Sequence, residues 1–425
     1  MMQEPAKAHQ ETEKPAPSAP VVSGGPRREP FLDGVRSLSA LMILVMHASS
    51  ASGLAKVPVV GDLITRTEVG PAIFFALSGY LLAKPWVRAQ YGGGRRVDLK
   101  RFARHRFLRI VPAYWAILTL ILLTTARGTP AGQAIDNYLF LQIYEYGILR
   151  GFAQSWSVCT EVSFYAALPL VTWFLFRRSR RFAIVGLLLT SIAGLAFLAL
   201  VKSPDWTMGQ AAVWLPSKWS QFAAGMLLAL LLPCFKMRWT GRWFGNAYLW
   251  LIVGTSFSLL TAITAIGGSI GPQGHHTVFT SVTKETLFTL TAFFLVGMAL
   301  LPQMRGSWLG RFLDCRPMLW LAKVTYSFYL LHMAVLIVSR EWMGLKYGQG
   351  GFFISLIVTL VVTSVLAQLF YWAFEQPFMR LAGRWDARSR RRAANAGLPE
   401  QGRAPASVPT VDVRTESQPA SSDVR

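Results

Sequence analysis

Residues Phe31 to Ser50 read FLDGVRSLSALMILVMHASS, and the fold follows from how this stretch is read. The run from Leu38 to Met46 is apolar, and with its flanks it is long enough to cross a bilayer. It nevertheless carries Asp33 and Arg36 at one end and His47 at the other. Eleven residues make about three helical turns, so Arg36 and His47 fall nearly in line on one face, roughly 16 Å apart along the axis. A charged side chain inside a span costs roughly 2.5–3.5 kcal/mol or more, and such groups face a bundle interior or a wet cavity. Two readings stand at this point: Asp33, Arg36 and His47 are interfacial anchors, or they mark chemistry inside the membrane.

Composition decides the class. The chain has 425 residues, 52% hydrophobic and 15% charged, with a mean hydropathy of +0.37. These values exclude an ordinary soluble protein and indicate a polytopic membrane protein. A net charge of +22 would suit nucleic acid, but the basic residues fall between apolar spans on one side, which is a topology signal, so no nucleic-acid partner is expected. Cys159, Cys234 and Cys315 are far apart and lack CxxC spacing, so neither a disulfide framework nor a metal site is expected. Residues 1–30, rich in Pro, Ala, Glu and Lys, read as a disordered cytoplasmic tail, and 381–425 as a disordered basic one.

Between the tails, 31–380 reads as one all-α transmembrane domain of ten spans, at about 32–52, 70–87, 107–126, 153–176, 182–201, 211–233, 246–267, 286–303, 318–338 and 351–374. With both termini cytoplasmic, the inside segments hold 31 of the 43 Lys and Arg and the outside loops hold nine. Every inside loop is at least as basic as its outside neighbours, as the positive-inside rule requires. A multi-pass protein of the inner (plasma) membrane is therefore expected, with Arg36 toward the cytoplasm and His47 toward the outer face. The outer stretch from Gly128 to Phe152 contains IDNYLFLQIY, which suits an interfacial helix.

Four further stretches carry chemistry. The loop RRVDLKRFARHRFLRIVPAYW gathers seven basic residues before the third span. Arg106 and Arg109 are i, i+3, so their guanidiniums converge on one anion, and arginine grips phosphate bidentately. Positive-inside bias or anionic lipid accounts equally for the rest of the run. In span two, Ser78 and Gly79 suit close helix packing, and no GxSxG elbow marks Ser78 as a nucleophile. Span four opens QSWSVCTEVSFYAALPL, placing Glu161 in the bundle with Ser157 and Tyr165 one turn to either side. Span nine, LAKVTYSFYLLHMAVLIV, aligns Thr325, Tyr329 and His332 on one face. His47, Glu161 and His332 are thus expected together in the outer half. Glu375, in FEQPF at the end of span ten, reads as a helix cap or a partner of the basic loops.

Taken in order, these stretches resemble the acyltransferase-3 family of integral membrane acyltransferases. The resemblance rests on Asp33, Arg36 and His47, then FFALSGYLL, RFLRIVPAYW, SWSVCTEVSFY, VTYSFYLLH and FEQPF, and covers about residues 31–380. It implies ten spans that use a cytosolic acyl-CoA, commonly acetyl-CoA, as donor substrate to acylate a hydroxyl on a carbohydrate, glycolipid or small-molecule acceptor, with no metal. It implies that His47 is essential with Arg36 its partner, that Arg106 and Arg109 hold the donor, and that Glu161 and His332 lie on family motifs. Cys159 and Val162 depart from positions more often polar in the family, and only a tail follows span ten, where some members carry a soluble esterase-like domain. A cell-envelope carbohydrate or glycolipid is the acceptor expected first, and a macrolide-like secondary metabolite second. A proton-coupled transporter or exporter explains the intramembrane His and Glu but not the paired arginines.

Overall fold

A computed structural model describes residues 30–145, 147–205, 209–238, 246–266 and 277–395, and all of its regular structure is helical. Fourteen α-helices are described, in order α1 (Pro30–Ser52), α2 (Val60–Thr65), α3 (Gly70–Tyr91), α4 (Leu99–Leu123), α5 (Ala131–Tyr138), α6 (Ser155–Phe176) and α7 (Arg180–Val201). There follow α8 (Leu215–Arg238), α9 (Ala247–Ile266), α10 (Val278–Ala299), α11 (Trp308–Leu313), α12 (Arg316–Trp342), α13 (Phe352–Phe370) and α14 (Gln376–Asn395). A helix occupies each of the ten segments expected to span. Among the described residues, seven helices are long and apolar enough to cross a membrane: α1, α4, α6, α7, α10, α12 and the continuous α13–α14 rod.

Local chemistry sets several boundaries. The Asp98 carboxylate caps α4 by accepting from the backbone N–H of Lys100 at 2.9 Å and of Arg101 at 3.2 Å. That cap starts the helix at Leu99, well before the span boundary near residue 107, so most of the basic loop is helical. Ser179 caps α7 and Thr277 caps α10 in the same way. In the stretch Gly128–Phe152, expected to lie outside, Ala131–Tyr138 forms a helix and turns follow it among the described residues. Toward the C-terminal end, Pro377 closely follows a locally widened turn of the same rod, and the helix continues past it to Asn395. A single π-helical turn, Tyr371–Glu375, joins α13 to α14. Residues 381–395, expected as disordered tail, are therefore helical. The remainder of both expected tails, 1–29 and 396–425, lies outside the described residues.

Two close approaches hold the core. On α3, a Cβ added to Gly79 would overlap the Phe222 carbonyl of α8, and one on Gly225 of α8 would overlap the Ala76 carbonyl of α3. The helices therefore meet backbone to backbone, the contact that small residues permit in membranes. Phe222 fills the space beside it, stacked on Phe75 at 4.5 Å and on Phe164 at 4.2 Å. On the other side, α1 is wrapped by α12, α13 and α3. The apolar outer faces of α7 and α13, among them Leu189, Ile192, Val361 and Val365, are exposed; such faces suit lipid.

Candidate active site

Arg36 projects from α1 into a cavity of about 360 Å³ enclosed by α1, α3, α4, α6, α12 and the π-turn. Its Nη1 lies 3.0 Å from Asp33 Oδ1, a pairing within one helical turn. Arg106 and Arg109, one turn apart on α4, line the same cavity, as do Lys323, Glu161 and Glu375. The paired arginines expected at the cytoplasmic end thus share one space with the first-span arginine.

Glu161 is the counter-charge. The Ser78 hydroxyl donates to its Oε1, and Tyr165, one turn along α6, lines the cavity beside it. The Arg106 guanidinium lies 5.8 Å from the Tyr165 ring centre. The Ser78 hydroxyl is therefore committed to the Glu161 carboxylate, and no nucleophile elbow surrounds it. Glu375, only 4% exposed, accepts from the Ser327 backbone N–H at 3.1 Å and from the Ser327 hydroxyl. It was expected to cap a helix or meet the basic loops; the π-turn instead swings it onto α12 and into the cavity wall.

Beyond the carboxylates the polar lining continues along α12. The Tyr329 hydroxyl is 2.7 Å from Ser157 Oγ and donates to the Gln154 carbonyl at 3.1 Å. One turn further, His332 is 1% exposed, and its Nδ1 lies 2.6 Å from the Tyr329 carbonyl. A carbonyl only accepts, so Nδ1 carries the proton and Nε2 is left as a basic acceptor. That Nε2 is buried and has no hydrogen-bond partner among the described residues. The His332 ring stands 5.2 Å from the His47 ring, at 39°.

The expected trio of His47, Glu161 and His332 is resolved into two parts. The histidines meet each other, while Glu161 is bonded among the arginines; Ser157 and Tyr329 form the polar link between them. Lys323, Tyr326 and Tyr165 were not singled out as site residues, although Tyr165 had been placed on the face of Glu161 and Lys323 is a cation within a span. Tyr326, whose hydroxyl donates to the Ile110 carbonyl at 3.0 Å, carries no signal that separates it from a packing tyrosine. The rest of the basic run does not enter the cavity. Arg101 at 2.7 Å, Arg104, and His105 at 2.8 Å all converge on Asp386 of α14.

The arrangement joins a cationic, partly apolar cavity to a pair of imidazoles, one of them fixed in tautomer by a backbone carbonyl. Comparisons with known proteins point the same way. The family profile described as an acyltransferase domain matches residues 29–372. The chain is 22% identical over 373 residues to "O-acetyltransferase OatA" of Staphylococcus aureus (strain NCTC 8325 / PS 47), covering 84% of this chain and 58% of that protein. It is 23% identical over 369 residues to "Putative peptidoglycan O-acetyltransferase YrhL" of Bacillus subtilis (strain 168), covering 82% and 54%. The chain thus spans a little over half the length of these curated relatives. No solved structure matches it.

Proposed function

The chain belongs to the acyltransferase-3 family, and from that premise we propose that it is a multi-pass membrane O-acyltransferase moving an acetyl group from cytosolic acetyl-CoA to a hydroxyl of a cell-envelope carbohydrate. The observation that carries this reading is the convergence of Arg36, Arg106 and Arg109 on one cavity, whose polar lining continues through Tyr329 to His332 and His47. Peptidoglycan O-acetylation, named for one relative, favours a glycan acceptor over a small secondary metabolite.

In the proposed reaction the arginines hold the phosphates of the donor by paired, charge-assisted hydrogen bonds. The apolar part of the cavity, with Phe74, Leu81 and Ile110 among its walls, receives the pantetheine arm. His47 accepts the proton of the acceptor hydroxyl as its oxygen bonds to the thioester carbonyl carbon. The C–S bond then breaks, and the proton passes to the departing thiolate, leaving an ester and CoA. His332 positions His47 across the ring contact, and Glu161 balances the arginine charge. A covalent acyl group on His47 is the variant of this route in which the imidazole attacks first. In the ten-span topology with inward termini, the cationic end faces the cytoplasm, where the donor is made, and His47 faces the envelope.

Inverted membrane vesicles with radiolabelled acetyl-CoA test the reading. Label entering an extractable glycan with wild type but not with His47→Ala supports it. Absence of CoA release from both, across several acyl lengths and acceptors, overturns it and leaves a proton-coupled transporter as the model to test.

A further inference from the structure

At the His47 end of the bundle a second polar cluster lies outside the arginine-lined cavity, on α7, α8 and α10, helices that the acyl-transfer scheme leaves unused. Lys218 and Gln221, one turn apart on α8, both donate to the carboxylate of Glu285 on α10, a residue only 3% exposed. Beside it, Lys284 Nζ is 3.4 Å from Glu68 Oε1, and Glu68 is 3.8 Å from Arg66 Nη1. The Lys218 ammonium also lies 6.0 Å from the Trp156 ring centre. Lys202, just past the last turn of α7, joins them. Its amine is held below its ordinary value, first by partial burial and then by the charges of Lys284 and Lys218.

The cluster borders His47 through the backbone. The turn Arg66–Val69 packs on α1, and the next residue, Gly70, abuts the side chain of Ile43, one turn along α1 from His47.

Four cations, Arg66, Lys202, Lys218 and Lys284, here meet two carboxylates, Glu68 and Glu285. The further acids nearby in sequence do not offset them. Asp62 accepts from the Val59 N–H at 3.3 Å, and Asp205 is exposed and makes no ion pair among the described residues. Arg66 is 6% exposed, and its Nη1 lacks a hydrogen-bond partner among the described residues. Lys202 has no carboxylate within ion-pair distance among them. Charges taken partly out of water are costly unless they are paired, and an excess of partly desolvated cations raises the local concentration of an anion.

We propose that this cluster binds the acceptor, and that the acceptor carries an anionic group, a carboxylate or a phosphate, beside the hydroxyl that is acylated. The inference rests on the acyl-transfer reading and adds its substrate class. Donor and acceptor then reach His47 from separate basic sites, the arginines on one side and the lysines on the other.

The full chain in nanodiscs, supplied with acetyl-CoA and three acceptors, tests this: a muramic-acid glycan fragment bearing a carboxylate, a sugar phosphate, and a neutral N-acetylglucosamine oligomer. Wild type is expected to prefer one of the anionic acceptors in kcat/KM, and which of the two it prefers identifies the anion. Lys202→Ala and Lys284→Ala are expected to cut that preference about tenfold, chiefly through the acceptor KM, as loss of a charge-assisted contact does. Lys202→Arg, which keeps the charge, is expected to retain it. A wild type that uses the neutral acceptor equally well, or a preference that survives both alanine variants, overturns the inference while leaving acyl transfer standing. A wild type that releases no CoA with any acceptor overturns the transfer reading itself, and this one with it.

Discussion

His47 of α1 and His332 of α12 stand with their rings 5.2 Å apart, and the second is held by the Tyr329 carbonyl with its Nδ1 protonated. Such a contact divides the labour between them: one imidazole is fixed in tautomer, and the other, only partly buried, is free to meet a substrate proton. His47→Gln is expected to lower kcat by about 10²–10⁴-fold, the range of general base catalysis, while the KM for acetyl-CoA stays near wild type. CoA release under saturating donor checks this, and full activity would remove His47 from the chemistry.

Arg106 and Arg109 are expected to act on donor binding. Lysine keeps the charge at either position but loses the planar fork, so Arg106→Lys and Arg109→Lys should each raise the KM for acetyl-CoA by about tenfold, the loss of one charged hydrogen bond. Arg101→Lys should change it far less, since Arg101 is paired with Asp386 outside the cavity. Equal effects at all three positions would show a diffuse electrostatic role.

Glu161 is expected to matter for stability as well as activity. Glu161→Leu removes a carboxylate from the arginine-lined cavity and leaves the Ser78 hydroxyl without its acceptor, and an unsatisfied buried donor costs about 1–3 kcal/mol. The cost should be smaller here because Glu161 is half-buried. Glu161→Gln still accepts from Ser78 and should keep more of the melting temperature. Thermal unfolding of the purified variants in detergent compares them, and equal melting temperatures would assign Glu161 no structural part.

The α3–α8 contact makes a prediction independent of the reaction. Gly225→Ala drives a Cβ into the Ala76 carbonyl, and overpacking of this kind costs about 1–3 kcal/mol. Gly132→Ala on α5 meets nothing within 4 Å and should be neutral or slightly stabilising, as alanine is in a helix. Melting temperatures of the two variants test the pair, and a Gly225→Ala protein as stable as wild type would show that the helices separate freely.

Much of the architecture is legible in residue order alone, because a bilayer demands long apolar helices and penalises each charge within them. That penalty is why Arg36, His47, Glu161 and His332 stand out without any coordinates. Helix caps were legible less directly: Asp98 begins α4 inside what reads as a loop. The end of the last helix was legible less well still: the π-helical turn Tyr371–Glu375 precedes Pro377, and the helix runs on to Asn395.

The sequence by itself determined that the protein is a helical membrane bundle, that its intramembrane ionisable groups are few, and that Arg106 and Arg109 share one helix face. Those properties follow from composition and a period of 3.6 residues, which are local. Only the tertiary structure decided which of these groups meet. It joined His47 to His332, moved Glu161 from the histidines to the arginines, turned Glu375 into the cavity, and gathered Lys202, Lys218 and Lys284 from three separate parts of the chain. Such pairings depend on how helices far apart in the chain cross and rotate, and that is set by packing such as the glycine contact of α3 with α8, which no periodicity encodes.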